Sequence, residues 1–434
     1  METDVLIVGG GLAGLSTAVH LNRSGLSSLV AEALGKPGGQ SSSEVVNGFT
    51  FDQTGHLLHL HHPCGRRLVR SLLGNNCREH RRDAGIFSHG TVTRYPFQAN
   101  TYGLPGPVVE ECLAGFLETV HWPAAPASDS FRDWCLAQFG KGISRHFMFP
   151  YNEKVWRRPL SGITTDWQGP FVPKPRPSEV LAGALTDQTK AFGYNAAFLY
   201  PKRGGIQPLA DALASRLKAG QLALSAPVTA VDLEERTAQV AGIGLVRFKR
   251  LVNTAPLPVF LGMLRRLPAA VAAARLRLRH NRVLCLNLGV ARPKVSDKHW
   301  LYFPEKSFPF YRVGFYHNFS GDLAPKGTSS LYVEACRRPG EAVSLPGLER
   351  QFLAGLRRCG LLKASDRILA RQWVPIEYGY VVYDRDRAPA LETIFAFLRK
   401  ARVESIGRYG GWKYSFMEGA LLDGKSCAER LCRR

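Results

Sequence analysis

The chain has 434 residues, 45% hydrophobic and 21% charged, which suits two or three domains with a large buried core and excludes wholesale disorder and fibrous architectures. Its 57 lysine and arginine residues against 35 acidic residues give a formal charge of +22. Such a charge attracts anions, but no nucleic-acid-binding motif accompanies it, so general surface charge is favoured over a specific anionic partner. No run of about 20 apolar residues occurs, and a strand pattern begins directly after the first residues, so we expect a cytoplasmic protein without a transmembrane segment or signal peptide.

The first predicted unit is a strand, a glycine-rich turn, a helix and a second strand. Residues 5–8 are apolar and mostly β-branched, as in a strand buried on both faces. Gly9-Gly10-Gly11-Leu12-Ala13-Gly14 follows and opens a helical pattern that ends near Gly25. A second strand at 29–31 ends at Glu32, 18 positions after Gly14. This context predicts a dinucleotide-binding site.

The remaining pattern alternates between helical and strand-like segments without a repeat or a linker. The predicted elements are a strand at 49–52, a mostly helical region at 60–195, a helix within 201–218, short strands at 226–233, 237–240 and 251–253, a helix at 257–279, strands within 282–335, a helix at 347–359, a strand at 403–406 and a helix at 416–432. The order of these elements indicates domains that interleave along the chain.

Each residue type of the dinucleotide motif has an expected role. Gly9 permits the tight turn, Gly11 lets the backbone approach a pyrophosphate, and Gly14 lets the helix pack closely on the strand. The helix N-terminus offers unpaired N–H groups to phosphate. Glu32 would accept hydrogen bonds from a ribose hydroxyl.

Two further glycine turns favour FAD over NAD. Gly38-Gly39 follows the acidic strand end and suits a nucleotide that lies extended across the domain. Gly407, Gly410 and Gly411 precede the last helix, where backbone N–H groups could contact the flavin. We therefore expect FAD as the cofactor.

A series of short motifs in one order resembles the flavoproteins of the amine oxidase and protoporphyrinogen oxidase superfamily, and within it the UDP-galactopyranose mutases, especially their eukaryotic-type branch. The motifs are residues 9–14 with Glu32, Gly38-Gly39, Phe51-Asp52-Gln53-Thr54-Gly55-His56, Tyr95-Pro96-Phe97-Gln98-Ala99-Asn100, residues 149–156 and 195–205, Pro309-Phe310-Tyr311-Arg312, Tyr378-Gly379-Tyr380 and residues 407–414. They extend over almost the whole chain.

The resemblance implies a ring-size interconversion of a nucleotide-diphosphate sugar, in which reduced FAD displaces UDP without net redox change. It implies that His56 lies near flavin N5, that Arg312 grips the substrate pyrophosphate, and that Tyr380 and Tyr414 bond the diphosphate. The full cofactor set implied is Gly9, Gly11, Leu12, Ala13, Gly14, Glu32, Gly38, Gly39, Gln40, Gly55, His56, Val228, Gly407, Arg408, Tyr414, Ser415 and Phe416. The substrate set implied is Tyr95, Phe97, Asn100, Tyr151, Trp156, Asn195, Arg312 and Tyr380.

Two positions depart from the family pattern. Leu199 stands where the family has a second pyrophosphate arginine, and Phe416 stands where prokaryotic-type members have an aspartate. Both changes make the site less polar, so the alternative is an oxidoreductase that removes hydride from a less polar substrate. A third possibility is a flavoprotein without catalytic turnover, whose basic surface serves binding alone.

No metal site is expected. His59, His61 and His62 cluster, but only Cys64 is near, and the nine cysteines form no Cys-x-x-Cys pair.

The predicted fold is α/β, with a Rossmann-type FAD-binding domain interleaved with a mixed helical and antiparallel-sheet substrate domain. The predicted segments are 1–60, 200–255 and 400–434 for the FAD-binding domain, 61–199 for a helical substrate part, and 256–399 for the substrate sheet and helices. A reductant for the flavin is a further expected partner, and the sequence leaves the oligomeric state open.

Overall fold

The structure is a computed structural model that describes residues 1–123 and 125–433. Its strands are β1 (Glu2–Val8), β2 (Ser28–Ala31), β3 (Ser43–Val46), β4 (Phe49–Asp52), β5 (Arg78–Arg81), β6 (Ala84–Ser88), β7 (Thr91–Arg94), β8 (Ala197–Tyr200), β9 (Leu222–Ala223), β10 (Val228–Asp232), β11 (Thr237–Val240), β12 (Gly244–Asn253), β13 (His280–Val290), β14 (Trp300–Tyr302), β15 (Arg312–Phe315), β16 (Ser329–Arg337), β17 (Ile368–Val381) and β18 (Val403–Ser405).

The helices lie between these strands and on both sides of the sheets. They are α1 (Leu12–Leu21), α2 (Pro63–Leu73), α3 (Gly106–His121), α4 (Phe131–Ile143), α5 (Phe149–Trp156), α6 (Pro177–Leu185), α7 (Gln207–Ala214), α8 (Leu257–Met263), α9 (Ala269–Arg277), α10 (Leu345–Arg358), α11 (Arg387–Lys400), α12 (Gly407–Gly410) and α13 (Met417–Cys432). A π-helical turn, Ser144–Met148, joins α4 to α5. Within the described residues, no helix is both long and apolar enough to cross a bilayer.

The first large sheet contains the predicted strand–turn–helix unit. Its order is β10-β11-β12-β1-β2-β9, with β18 beside β12. Strand β1 runs parallel to β2 and β12, and Leu6 pairs with Leu29 and Leu251. Val5, Leu6 and Ile7 are fully buried, because helices cover both faces of a parallel sheet. The α/β architecture predicted from the sequence is therefore present.

Strands from three separated segments of the chain build this sheet. They fall within 1–60, 200–255 and 400–434. Helix α13 closes the arrangement by packing on α1, where the Ser16 hydroxyl donates to the Leu421 carbonyl at 2.7 Å. The division of the chain into two domains at these boundaries stays a prediction.

The second large sheet has the order β17-β13-β16-β15-β14-β6-β7 and is antiparallel except for the β14–β6 pair. The strand pattern predicted within 282–335 is confirmed. The region 60–195 is less helical than predicted, since it contributes β5, β6 and β7. The helix predicted over 257–279 is broken between α8 and α9 at residues 264–268, where Pro268 precedes the second helix.

Candidate functional site

A cavity of about 630 Å³ lies where the two large sheets meet. Its first arm begins at the carboxyl ends of β1 and β2, where ligands bind in parallel α/β sheets. Its second arm reaches strands β13, β15, β16 and β17 of the other sheet. We call these the nucleotide arm and the aromatic arm.

The glycine motif shapes the floor of the nucleotide arm. Gly9 has a φ of +103°, a backbone conformation that other residues rarely adopt. A Cβ on Gly14 would lie 2.0 Å from the Gly9 carbonyl oxygen, so Gly14 lies under the turn and outside the cavity lining. A Cβ on Gly11 would meet only the Gly38 carbonyl, at 4.0 Å. The backbone at Gly11 is thus open to a ligand.

Glu32 is held in place at the end of β2. Its Oε2 accepts the Gly10 N–H at 2.6 Å, and its Oε1 accepts the Leu34 N–H at 2.8 Å. The carboxylate is almost fully buried and lines the cavity. Each oxygen keeps a lone pair for a hydroxyl of the ligand.

Arg408 marks the junction of the two arms. Its Nη2 donates to the Gly379 carbonyl at 2.9 Å, and Nη1 bonds the Ser415 carbonyl. Its buried Nε has no partner among the described residues, and the groups acting electrostatically on it are tyrosines. A buried guanidinium with an unused donor suits an electron-rich ring edge, so the residues present fit a flavin.

The predicted cofactor residues converge on this cavity. Those that line it are Gly9, Gly11, Leu12, Ala13, Glu32, Gly38, Gly39, Gln40, Gly55, His56, Val228, Gly407, Arg408, Tyr414, Ser415 and Phe416.

His56 follows β4 at the junction of the arms and is neutral at physiological pH. Its Nδ1 lies 3.2 Å from the Thr54 carbonyl oxygen. Burial lowers the pKa of His56 to about 4, and Arg312 and Arg408 act in the same direction. The ring therefore serves as a neutral hydrogen-bonding group.

We expect the His56 ring to show no protonation above about pH 5.5, which the pH dependence of its NMR chemical shifts can check.

The stability of the fold should also depend on pH, because burial lowers the pKa values of His59 and His299 to about 4 as well. The unfolded chain then binds more protons than the folded one between pH 6.5 and about 4, so stability falls as the pH falls through this window. The buried Asp52, with a pKa raised to about 6, opposes part of this loss. A His56 inflection near pH 6.5 would contradict the assignment.

Arg312 is fixed by a buried carboxylate in the aromatic arm. It lies opposite Glu334 in the β15–β16 register, and its Nη2 donates to Glu334 Oε1 at 2.9 Å while Nε bonds the other oxygen. Glu334 is 1% exposed and also accepts the Thr54 hydroxyl. Two of the guanidinium nitrogens are thereby occupied, and the third, Nη1, has no hydrogen bond with the described residues.

Tyrosines lie on this pair and next to it, and the Arg312 Cζ is 5.9 Å and 5.8 Å from the ring centroids of Tyr311 and Tyr332. Tyr380 and Tyr414 stack with ring centroids 6.2 Å apart, and the Arg408 guanidinium lies 5.5 Å and 5.1 Å from the two rings. Other aromatic residues that line the arm are Tyr95, Phe171, Tyr194, Trp300, Tyr302, Tyr311 and Tyr332. The arm is an aromatic cleft with hydroxyl groups and one guanidinium–carboxylate pair.

Four of the predicted substrate residues do not line the cavity. Phe97 is fully buried and stacks on Phe147 at 5.2 Å, and Trp156 packs on Trp167 at 4.9 Å. Asn100 donates to the Pro96 carbonyl, and Tyr151 also stacks on Phe147. Phe97 and Trp156 belong to the core, and Tyr151 packs against it while also contacting the cavity-lining Tyr302 and Tyr311. Tyr95, Asn195, Arg312 and Tyr380 do line the cavity.

The two departures from the family pattern have different surroundings. Leu199 is 8% exposed and belongs to an apolar cluster with Leu58 and Leu60, away from the cavity lining. Phe416 lines the cavity, with its ring 6.0 Å from Phe171 and 5.9 Å from Tyr194. The aromatic character of the cleft therefore continues across position 416.

Sequence reasoning missed several cavity residues. Glu334 is the most informative, because it is an acidic residue within the otherwise uncharged interior of β16, a signal that could have been used. Tyr409 bonds Gln40 through its hydroxyl at 2.6 Å and lines the wall beside Arg408. Tyr302 and Tyr332 carry no local motif that would have identified them.

Comparisons with known proteins identify the family and the fold. The sequence model of the family described as flavin containing amine oxidoreductase matches residues 12–432. A crystal structure of reduced UDP-galactopyranose mutase superposes with a TM-score of 0.94 at 26% identity, covering 99% of this chain and 94% of that one. Cyclohexylamine oxidase from Brevibacterium oxydans gives 0.68 at 18% identity, covering 100% and 99%. Wild-type putrescine oxidase bound to putrescine gives 0.69 at 18%, covering both chains fully. The two oxidases share the fold.

Proposed function

The chain belongs to the family of flavin-containing amine oxidoreductases and uses FAD, and we propose that it acts through reduced FAD on a nucleotide-diphosphate sugar, interconverting pyranose and furanose rings. The observation that carries the proposal is the Arg312–Glu334 pair beside the stacked Tyr380 and Tyr414, at the junction of the aromatic arm and the nucleotide arm. The likeness to UDP-galactopyranose mutase over 99% of the chain supports it.

Different side chains bind the diphosphate and exclude water. When bound, reduced FAD supplies a nucleophilic nitrogen that can displace a diphosphate from an anomeric carbon. The free Nη1 of Arg312 has two N–H donors for the oxygens of this diphosphate, and Glu334 holds the guanidinium plane in one orientation. The Tyr380 and Tyr414 hydroxyls add neutral donors for phosphate oxygens. The aromatic walls exclude water, which would otherwise attack the activated carbon.

A second candidate function is removal of hydride from an apolar or amine substrate, with reoxidation of the flavin by an external acceptor. The specific observation in its favour is the aromatic wall of Phe171, Tyr194 and Phe416. Such a wall suits an apolar ligand as well as the apolar face of a sugar.

Titration of the dithionite-reduced protein with UDP under anaerobic conditions separates the two candidates. We expect saturable changes in flavin absorbance at micromolar UDP, and conversion of UDP-galactopyranose to the furanose form by the reduced protein alone.

Arg312→Lys keeps the ion pair with Glu334 but loses the planar guanidinium. It should therefore weaken UDP binding by about 10- to 100-fold without loss of flavin.

Two results would contradict these expectations. No response up to millimolar UDP, together with bleaching of the oxidised flavin by amines, would replace the proposed function with the second candidate. Loss of flavin from Arg312→Lys would mean that Arg312 acts on the cofactor instead of the substrate.

A further inference from the structure

Lys154 on α5 is a half-buried lysine that lies outside the cavity lining. Its Nζ donates hydrogen bonds to the carbonyl oxygens of Phe303 at 2.7 Å and of Phe310 at 2.8 Å. Burial lowers the pKa of its amine to about 7, while Glu305 acts against this shift and Arg358 adds to it. A cation in such surroundings is ordinarily paired with a carboxylate, whereas here two backbone oxygens receive the N–H groups. The amine therefore joins two points of the backbone.

The two carbonyls lie at the neck of the turn that joins β14 to β15. Strand β14 ends at Tyr302 and β15 begins at Arg312, and these two residues form the last ladder pair before the turn. One step into the turn, the Phe303 N–H bonds the Tyr311 carbonyl at 2.9 Å. Lys154 joins the two sides once more, so it fixes the backbone directly next to three residues that line the aromatic arm, Tyr302, Tyr311 and Arg312.

Helix α5 is itself anchored to the second large sheet. The side chain of Asn281 on β13 donates to the carbonyls of Val155 at 2.7 Å and Trp156 at 2.9 Å. Tyr151, three positions before the lysine, meets the Tyr302 ring edge to face, with centroids 5.4 Å apart. The lysine thus extends from a fixed helix to the strand ends that carry the aromatic arm.

The rest of the turn has a separate source of stability. Phe303, Phe308 and Phe310 belong to an apolar cluster, in which the Phe310 ring lies 5.7 Å from the ring of Phe352 on α10. Burial of these rings is the larger contribution to the stability of the turn. Loss of the two hydrogen bonds from Lys154 should therefore leave the turn folded, while its neck gains freedom to move.

We propose that Lys154 is a positioning residue for the reaction: from α5 it holds the neck of the β14–β15 turn and thereby sets the place of Arg312 and Tyr302 against the substrate diphosphate. It touches neither the substrate nor the flavin and acts through Arg312. The proposal rests on the proposed function, because a displaced guanidinium is detected as weaker diphosphate binding and slower turnover.

The test compares two lysines that join the same helix to the same turn, each replaced by methionine in the reduced, FAD-loaded protein. Lys154→Met keeps most of the apolar stem and removes the N–H donors. It is expected to weaken UDP binding by about 3- to 30-fold and to slow ring interconversion at saturating substrate, without a change in FAD affinity. Lys306→Met breaks the exposed ion pair between the turn and Glu153 of α5, at 3.3 Å. It should change UDP binding by less than about 2-fold.

A double-mutant cycle with Arg312→Lys separates positioning from general support of the fold. The ammonium group that Arg312→Lys introduces binds phosphate as a point charge and does not depend on the orientation of a guanidinium plane. In that background, Lys154→Met should therefore weaken UDP binding by less than about 2-fold. Equal weakening in both backgrounds would overturn the proposal in favour of a structural role, as would loss of flavin or failure to fold in Lys154→Met.

Two further results would overturn the assignment without touching the proposed function. One is a wild type that binds UDP together with a Lys154→Met variant of unchanged UDP affinity and turnover. The other is an equal effect of Lys154→Met and Lys306→Met, which would show that any attachment of the turn to α5 serves. If the wild type itself binds no UDP, the proposed function fails first and the role of Lys154 fails with it.

Discussion

Replacing Glu334 with leucine is expected to lower the free energy of unfolding by about 3–5 kcal/mol. The carboxylate is 1% exposed and bonds two nitrogens of Arg312 as well as the Thr54 hydroxyl. Leucine fills a similar volume but leaves the guanidinium, whose side chain is only 21% exposed, without its carboxylate partner. The cost comes from that charge, since replacing both members of a buried ion pair with apolar residues is often neutral.

Urea unfolding of the single and double variants measures this effect. The Arg312→Met/Glu334→Leu double variant should recover most of the stability lost by Glu334→Leu, yet it should not bind UDP. Glu153→Gln breaks the exposed pair with Lys306, at 3.3 Å, and should cost less than about 1 kcal/mol. A double variant as unstable as Glu334→Leu would show that packing of the carboxylate, and not the unpaired charge, sets the cost.

The sequence was most informative where a local pattern determines the structure. The glycine motif after β1 requires a specific turn, and its spacing to Glu32 is that of one helix followed by a second strand. Strands β5 and β8 show the opposite case. Strand β5 reads Arg-Glu-His-Arg, without an apolar alternation, and it forms because β8 supplies the backbone partners. Pairing between segments more than 100 residues apart leaves no trace in such a pattern.

The residues of the candidate site show the same contrast between local patterns and long-range packing. Residues contributed by glycine turns lie at the cavity, since the turn itself forms the binding surface. Aromatic side chains could face either the cavity or the core, and the sequence gives no means of choosing. Phe97 and Trp156 face the core because α4, α5 and the π-helical turn between them pack there. Glu334 is recognisable as functional only when Arg312 is seen opposite it in the sheet.

Two glycines of the dinucleotide motif, Gly14 and Gly11, should differ sharply when each is changed to alanine. A Cβ at position 14 would lie 2.0 Å from the Gly9 carbonyl oxygen and 3.3 Å from Ile7 Cγ2. The first of these atoms is backbone in a tight turn, so it cannot move away without distorting β1 or α1. Gly14→Ala should therefore lower the free energy of unfolding by up to about 3 kcal/mol, even in protein stripped of flavin.

Gly11→Ala is the matched control, because its Cβ would meet only the Gly38 carbonyl at 4.0 Å. We expect the flavin-free Gly11→Ala protein to unfold at the same urea concentration as flavin-free wild type. Its affinity for FAD should nevertheless fall, because the added methyl group occupies space in the cavity where the pyrophosphate must approach the backbone. Fluorescence titration with FAD measures this second quantity. If both variants lost stability equally without flavin, the close approach at Gly11 would serve the fold and not the cofactor.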